Sequence, residues 1–231
     1  MICINTDTAP QLMQIMFQQW FIKYADSPAA FFIVLSVLAV IYLVRCTREE
    51  FVLFSTGCMT MAGEILVIFA FQIYFGYIYF QIGVIVTVFL AGLLPGAVFG
   101  HRLRSRGGRL LLLTDGVLMG LMGLFIAALA LAGDRLPVLF FLAFGFAVSL
   151  VCGFQFPVAL GLRDDDNPAA ARFFSADLIG AAVGTLVTSL ILIPYLGILW
   201  AAAAFIGLKL ASIIVMGGSR ARSVPPAFSI L

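Results

Sequence analysis

Long apolar runs separated by short polar breaks make up most of the chain, and the runs are continuous rather than alternating residue by residue. They cover 29–44, 51–74, 81–100, 110–132, 137–159, 172–197 and 198–217. About 20 apolar residues cross a bilayer as a helix. Continuous runs also argue against a membrane barrel, whose strands alternate. The pattern predicts an all-α, polytopic transmembrane helix bundle of about seven spans. The first run is short, and if it lies in the interface the expectation becomes six spans plus an interfacial helix.

Ahead of these runs, residues 1–28 read as an interfacial, amphipathic segment. Gln11, Gln14 and Gln18 share one helical face, with Leu12, Ile15, Phe17 and Trp20 largely elsewhere, and Trp20 is expected at headgroup depth. The segment lacks the basic start, clean apolar core and small-residue cleavage site of a secretory signal. The expected organisation is therefore the 1–28 segment, a transmembrane helical domain over 29–217, and a basic, proline-containing cytoplasmic tail over 218–231.

Composition sharpens this picture. Hydrophobic residues are 63% of the chain and charged residues 10%, against roughly 25% charged in soluble proteins. An ordinary soluble domain is excluded. The four cysteines, Cys3, Cys46, Cys58 and Cys152, form no C-x-x-C pair and no zinc spacing. They read as thiols packed as small hydrophobes. The single histidine, His101, cannot supply two ligands to a haem. No cofactor, metal or nucleic-acid partner is expected.

The net charge of +2 matters less than where the arginines fall. Arg45, Arg48, Arg102, Arg104, Arg106, Arg109, Arg163, Arg172, Arg220 and Arg222 all fall on one side of the predicted spans, and Lys23 and Arg135 on the other. The positive-inside rule makes the first side cytoplasmic. With seven spans the N-terminus is outside and the C-terminus inside, and the expected location is a bacterial cytoplasmic (inner) membrane. The cluster Tyr74, Phe75, Tyr77, Tyr79 and Phe80 marks the far interface.

Small residues and buried charges carry the candidate chemistry. Gly92, Gly96 and Gly100 recur every four residues, as do Gly180 and Gly184, and such faces let helices approach closely. Pro95 is a candidate bend. Depth counted at about 1.5 Å per residue puts Asp115 roughly 9 Å, Gln155 roughly 6 Å, Asp177 roughly 8 Å and Lys209 roughly 12 Å from the cytoplasmic ends of their helices. An unpaired charge at mid-bilayer costs about 2.5–3.5 kcal/mol on insertion scales. An Asp177–Lys209 pair is expected, because a tight 194–197 turn makes their helices consecutive and antiparallel. It reads as a structural ion pair or as part of a solute or proton site. Glu64 lies roughly 20 Å along its helix, with no basic residue expected at that depth, and Gln72 follows on nearly the same face. Glu64 must be protonated, hydrogen-bonded or facing a wet cavity.

The run ADLIGAAVG within 172–197 resembles the signature of bacterial spermidine synthase-like proteins, including those fused to a major-facilitator region. STGCMTMAGEILVIFAFQIYFGYIYFQIG at 55–83 and GFQFPVALGLR at 153–163 resemble the same family, and INTDTAP resembles the segment leaving its synthase-like domain. GAVFGHRLRSRGGR resembles the loop between the second and third helices of major-facilitator transporters at Gly96, Gly100, Gly107 and Arg109. His101, Leu103 or arginines stand where that loop has an acidic residue, and the stretch also reads as a positive-inside anchor. The resemblance implies a non-catalytic membrane half that lies in the bilayer and assembles with another subunit, one carrying the synthase-like domain, or with itself. No glycine loop in a strand context followed by an acidic residue occurs, so the chain is not expected to be an enzyme. Two alternatives stand beside this reading: a half-transporter unit for a small, cationic amine, and a membrane subunit of a larger redox or secretion complex.

The arginine asymmetry generates a direct test of topology. In intact cells, an impermeant thiol reagent should reach Asp134→Cys and miss Ser105→Cys; the opposite labelling pattern would invert the assignment.

Overall fold

A computed structural model describes residues 28–76, 79–103, 107–162 and 167–217, together with Ile15, Gln19, Ile22 and Lys23. The expected interfacial segment lies otherwise outside the described residues, as do Tyr77 and the 218–231 tail. Every regular element among the described residues is helical: α1 (Pro28–Arg45), α2 (Arg48–Phe75), α3 (Tyr79–Arg102), α4 (Gly107–Ala132), α5 (Val138–Leu160), α6 (Asn167–Val187) and α7 (Ile193–Gly217). A 3-10 turn, Gly133–Arg135, joins α4 to α5, and a π turn, Thr188–Leu192, joins α6 to α7.

Five stretches are long and apolar enough to cross a membrane: Arg48–Phe75, Phe80–Arg102, Gly108–Ala132, Val138–Leu160 and Ala170–Gly217. The expectation of about seven separate runs differs from this in two places. Helix α1 has 18 residues and is not among the five. The runs expected over 172–197 and 198–217 form one helical stretch of 48 residues. Pro194 does not end it: the helix runs on from the π turn just before it, through Pro194. The break comes at Gly197, with φ 79° and ψ 174°, a backbone conformation open to glycine and closed to nearly every other residue.

Helix starts follow from local chemistry. Thr47 caps α2: its hydroxyl accepts from the Glu50 N–H at 3.4 Å, while the Glu50 carboxylate accepts from the Thr47 N–H at 2.8 Å. This reciprocal box satisfies two N–H groups that no helical carbonyl can reach. Only Cys46 and Thr47 separate α1 from α2.

Glycine contacts set the packing. A Cβ at Gly92 would meet the Phe146 carbonyl, one at Gly96 the Leu150 carbonyl, and one at Gly100 the Phe154 carbonyl. Both helices advance together, so α3 and α5 run parallel with backbones touching. The same holds for α2 and α6: Gly180 faces Phe54, Gly184 faces Cys58, and Gly57 returns the contact against Asp177 and Ala181. Beyond Gly184 the chain comes back to the same level of α2, where Lys209 reaches Ser55 and Thr56. It therefore doubles back at Gly197. Yet α6 and α7 do not lie along each other; α6 covers α2, and α7 packs on α4 and on another part of α2.

The pairing has an internal symmetry. Helix α3 packs on α5, α2 on α6, α4 on α7, α2 on α7 and α4 on α5. Exchanging α2 with α5, α3 with α6 and α4 with α7 leaves that set unchanged. Each exchanged pair runs in opposite directions, so the pattern of contacts is that of an inverted repeat of three helices. Away from the arginine-rich end, the core is aromatic: Phe125 stacks on Phe144 at 4.4 Å, and Phe141 meets Phe71 edge-on at 5.9 Å.

Gly184 presses on the backbone of Cys58, which cannot yield as a side-chain tip could. Gly184→Leu should lower stability by about 1–3 kcal/mol, the usual cost of overpacking, seen as an earlier thermal transition in detergent. An unchanged transition would show that α2 and α6 do not touch there.

Candidate functional site

Four helices bring their polar side chains to one point: Ser55 and Thr56 from α2, Asp115 from α4, Gln155 from α5, and Lys209 and Ser212 from α7. All are buried, most at 0% exposure. Lys209 Nζ donates to Asp115 Oδ1 at 2.8 Å, forming an ion pair. It also lies 2.9 Å from Thr56 Oγ1, 3.2 Å from Ser55 Oγ and 3.3 Å from Gln155 Oε1. An ammonium has three protons, so one of these contacts is shared. Asp115 is equally well met. Its Oδ1 also accepts from Gln155 Nε2 at 2.7 Å, and its Oδ2 accepts from Ser212 Oγ at 2.8 Å.

The rest of the network is fixed by the helices themselves. Gln155 Nε2 gives its second proton to Thr114 Oγ1 at 2.8 Å. Ser55 Oγ donates back to the Val52 carbonyl at 2.7 Å, leaving its lone pairs for Lys209. Thr56 Oγ1 has a single proton to share between the Val52 carbonyl and Gln155 Oε1. Desolvating an ion pair is offset only when extra hydrogen bonds complete both charges. That condition is met here. The network is sealed, so it fastens α2, α4, α5 and α7 at one depth rather than offering a ligand surface.

Of the residues singled out from the sequence, the structure brings together Asp115, Gln155 and Lys209. The expected Asp177–Lys209 pair does not form. Consecutive helices need not be neighbours: the turn through Gly197 carries α7 onto α4, where Asp115 waits at matching depth. Asp177 is half-buried on α6, with its carbonyl against Gly57 and no hydrogen-bond or ion-pair partner for its carboxylate among the described residues. Glu64 is half-buried on α2, likewise without such a partner among the described residues. Gln72 is exposed near the end of α2, and its carbonyl accepts the Gly76 N–H at 3.0 Å. Gly92, Gly96, Gly100, Gly180 and Gly184 lie at the helix contacts given above.

Sequence reasoning missed the hydroxyls. Ser55, Thr56 and Ser212 were legible as polar residues inside apolar runs, but nothing in the pattern gave their facing. It also missed the capping box, although T-x-x-E before an apolar run is its signature. That box has a second role: Glu50, buried, pairs with Arg172 Nε of α6 at 2.7 Å. Nearby, Tyr42 of α1 packs on Phe54, with ring centres 5.9 Å apart. Among the described residues, Cys46, Cys58 and Cys152 are free thiols, and no group of three or more His, Cys, Asp or Glu is placed to hold a metal ion.

The fold class is thus an all-helical bundle with five helices long and apolar enough to cross a membrane. Compared with protein-family models, curated proteins and solved structures, the chain matches none.

Two outcomes follow from this geometry. Lys209→Met leaves Asp115 buried and unmatched, which should cost about 3–5 kcal/mol. Combined with Asp115→Asn, part of that loss should return; unfolding in detergent measures it, and additivity for Asp115 with Lys209 would dissolve the pair. Separately, burial pushes the Cys46 thiol up to about 11, with the Glu50 carboxylate adding to the shift. Only the thiolate reacts, so alkylation of Cys46 should be slow near neutrality and rise roughly tenfold per pH unit to beyond pH 10. A rate that levels off near pH 9 would show an unshifted thiol.

Proposed function

We propose that the chain is a non-catalytic integral membrane module that works by assembling with a second helix bundle across one face of α2. The observation that carries this reading is the stripe Thr60, Met61, Glu64, Ile65 and Ile68. The rest of α2 is more enclosed than any other of the five long apolar stretches, yet this stripe stays half-covered. It holds the carboxylate of Glu64, about 24 Å along the helix from Arg48. A carboxylate at that depth in lipid is costly, and a partner's polar group would meet it. In this reading α2 to α7 cross a bacterial cytoplasmic membrane six times, with the arginine-rich end and the C-terminus inside. The Asp115–Lys209 network then keeps the module rigid while its α2 face is offered outward. The resemblance of 55–83, 153–163 and ADLIGAAVG to spermidine synthase-like membrane regions names the kind of partner: a subunit bearing a synthase-like domain.

A second reading is a half-transporter unit for a small cationic amine. One observation favours it. Inverted three-helix repeats are a recurrent build of secondary transporters, whose sites lie near mid-membrane. Glu64 would then be the counter-charge, reached once a second half completes the pathway.

Disulfide or bismaleimide cross-linking from Met61→Cys in native membranes tests the assembly. An adduct with a different protein supports the module, and one at twice the chain's mass makes the partner a second copy. No adduct would turn the stripe to lipid and sink the proposal. Amine uptake into proteoliposomes that depends on Glu64 would move the conclusion to the transporter reading.

A further inference from the structure

The end of the bundle opposite the aromatic core holds a feature that neither the buried network nor the α2 stripe uses. Where the end of α1 meets the starts of α2 and α6, a cavity of about 310 Å³ is lined by Tyr42, Arg45, Glu50, Ala171, Arg172 and Ser175. Its walls are set by firm contacts. Glu50 is held by the capping box and in turn holds Arg172 Nε at 2.7 Å. Tyr42 is fixed against Phe54. Ser175 Oγ donates to the Ala171 carbonyl at 2.8 Å, which leaves its lone pairs free to accept.

The charges do not cancel. Glu50 engages one edge of the Arg172 guanidinium, and the Arg172 side chain remains 54% exposed. Arg45 is exposed, and its guanidinium has no hydrogen-bond or ion-pair partner among the described residues. Two cations and one anion leave a net single positive charge around the cavity. Guanidinium edges match phosphate oxygens in planar, paired hydrogen bonds. The complement is a monoanion with phosphate geometry.

What surrounds the cavity selects the source of that phosphate. Next to the lining positions, α1 exposes Val40, Ile41 and Val44, and α6 exposes Phe174 and Leu178. A ligand seated here meets arginines at its head and bare apolar helix faces alongside. We propose that this cavity binds the phosphodiester headgroup of an anionic glycerophospholipid, with the acyl chains lying along α1 and α6. Basic pockets between helices at the cytoplasmic face are the chemistry by which such headgroups are held. The site rests on the α1–α2–α6 corner alone and is independent of what covers Glu64.

The test is native mass spectrometry of the full chain released from detergent with equal phosphatidylglycerol and phosphatidylcholine. The expected result is one retained phosphatidylglycerol in preference to phosphatidylcholine. Arg45→Gln should reduce that retention about fivefold, the effect of one basic residue near an anionic surface. Because Arg45 holds no internal partner, the variant should keep the wild-type helical signal and thermal transition. Arg102→Gln, an exposed charge at the same end but outside the cavity, should leave retention unchanged. Equal retention of the two lipids, or wild-type retention by Arg45→Gln, overturns the site. Equal losses in Arg45→Gln and Arg102→Gln overturn it as well, since diffuse attraction would then suffice. Displacement of the lipid by millimolar glycerol 3-phosphate would show a site for free phosphate and overturn the lipid assignment.

Discussion

A buried ammonium must be answered, and the answer organises this bundle. Lys209 sits at 0% exposure, and its charge is met by Asp115 of α4 and by hydroxyl and amide oxygens of α2 and α5. None of those partners is near Lys209 in sequence. The pair therefore does more than add energy. It penalises every arrangement of α2, α4, α5 and α7 that leaves either charge alone. A fully apolar set of helices would lack that discrimination, because one greasy contact resembles another. Net stabilisation by such a pair is often small; the penalty for misplacement is what specifies the arrangement.

Glycine contacts act at right angles to this constraint. The α3–α5 and α2–α6 seams bring backbone against backbone through Gly92, Gly96, Gly100, Gly153, Gly57, Gly180 and Gly184. Both seams are parallel, and each is the counterpart of the other under the exchange of the two three-helix halves. The seams fix lateral spacing, and the polar network fixes depth. Together they leave α2 clasped on most sides and half-covered on one. The half-covered side holds Glu64.

The arginine-rich end shows how one local device serves several layers. The Thr47–Glu50 box starts α2, and the same Glu50 carboxylate ties down Arg172 at the start of α6. The cavity beside it lies where the end of α1 meets the starts of α2 and α6.

From the amino-acid order alone, the all-helical class was readable, because unbroken apolar runs with one charged residue in ten permit little else. The polar residues inside those runs were readable too, as were their depths, since depth depends only on rise per residue. Asp115, Gln155, Asp177 and Lys209 could be placed in one layer on that basis. Their partnership could not. Chain adjacency suggested Asp177 for Lys209, yet the turn at Gly197, one residue with a positive φ, redirects α7 onto α4. Depth is a one-dimensional property of a helix and survives in the sequence. Azimuth and neighbour depend on how whole helices pack, and that is set by contacts summed over the bundle. For this reason the ion pair, the two parallel seams and the half-covered face of Glu64 belong to the tertiary structure alone.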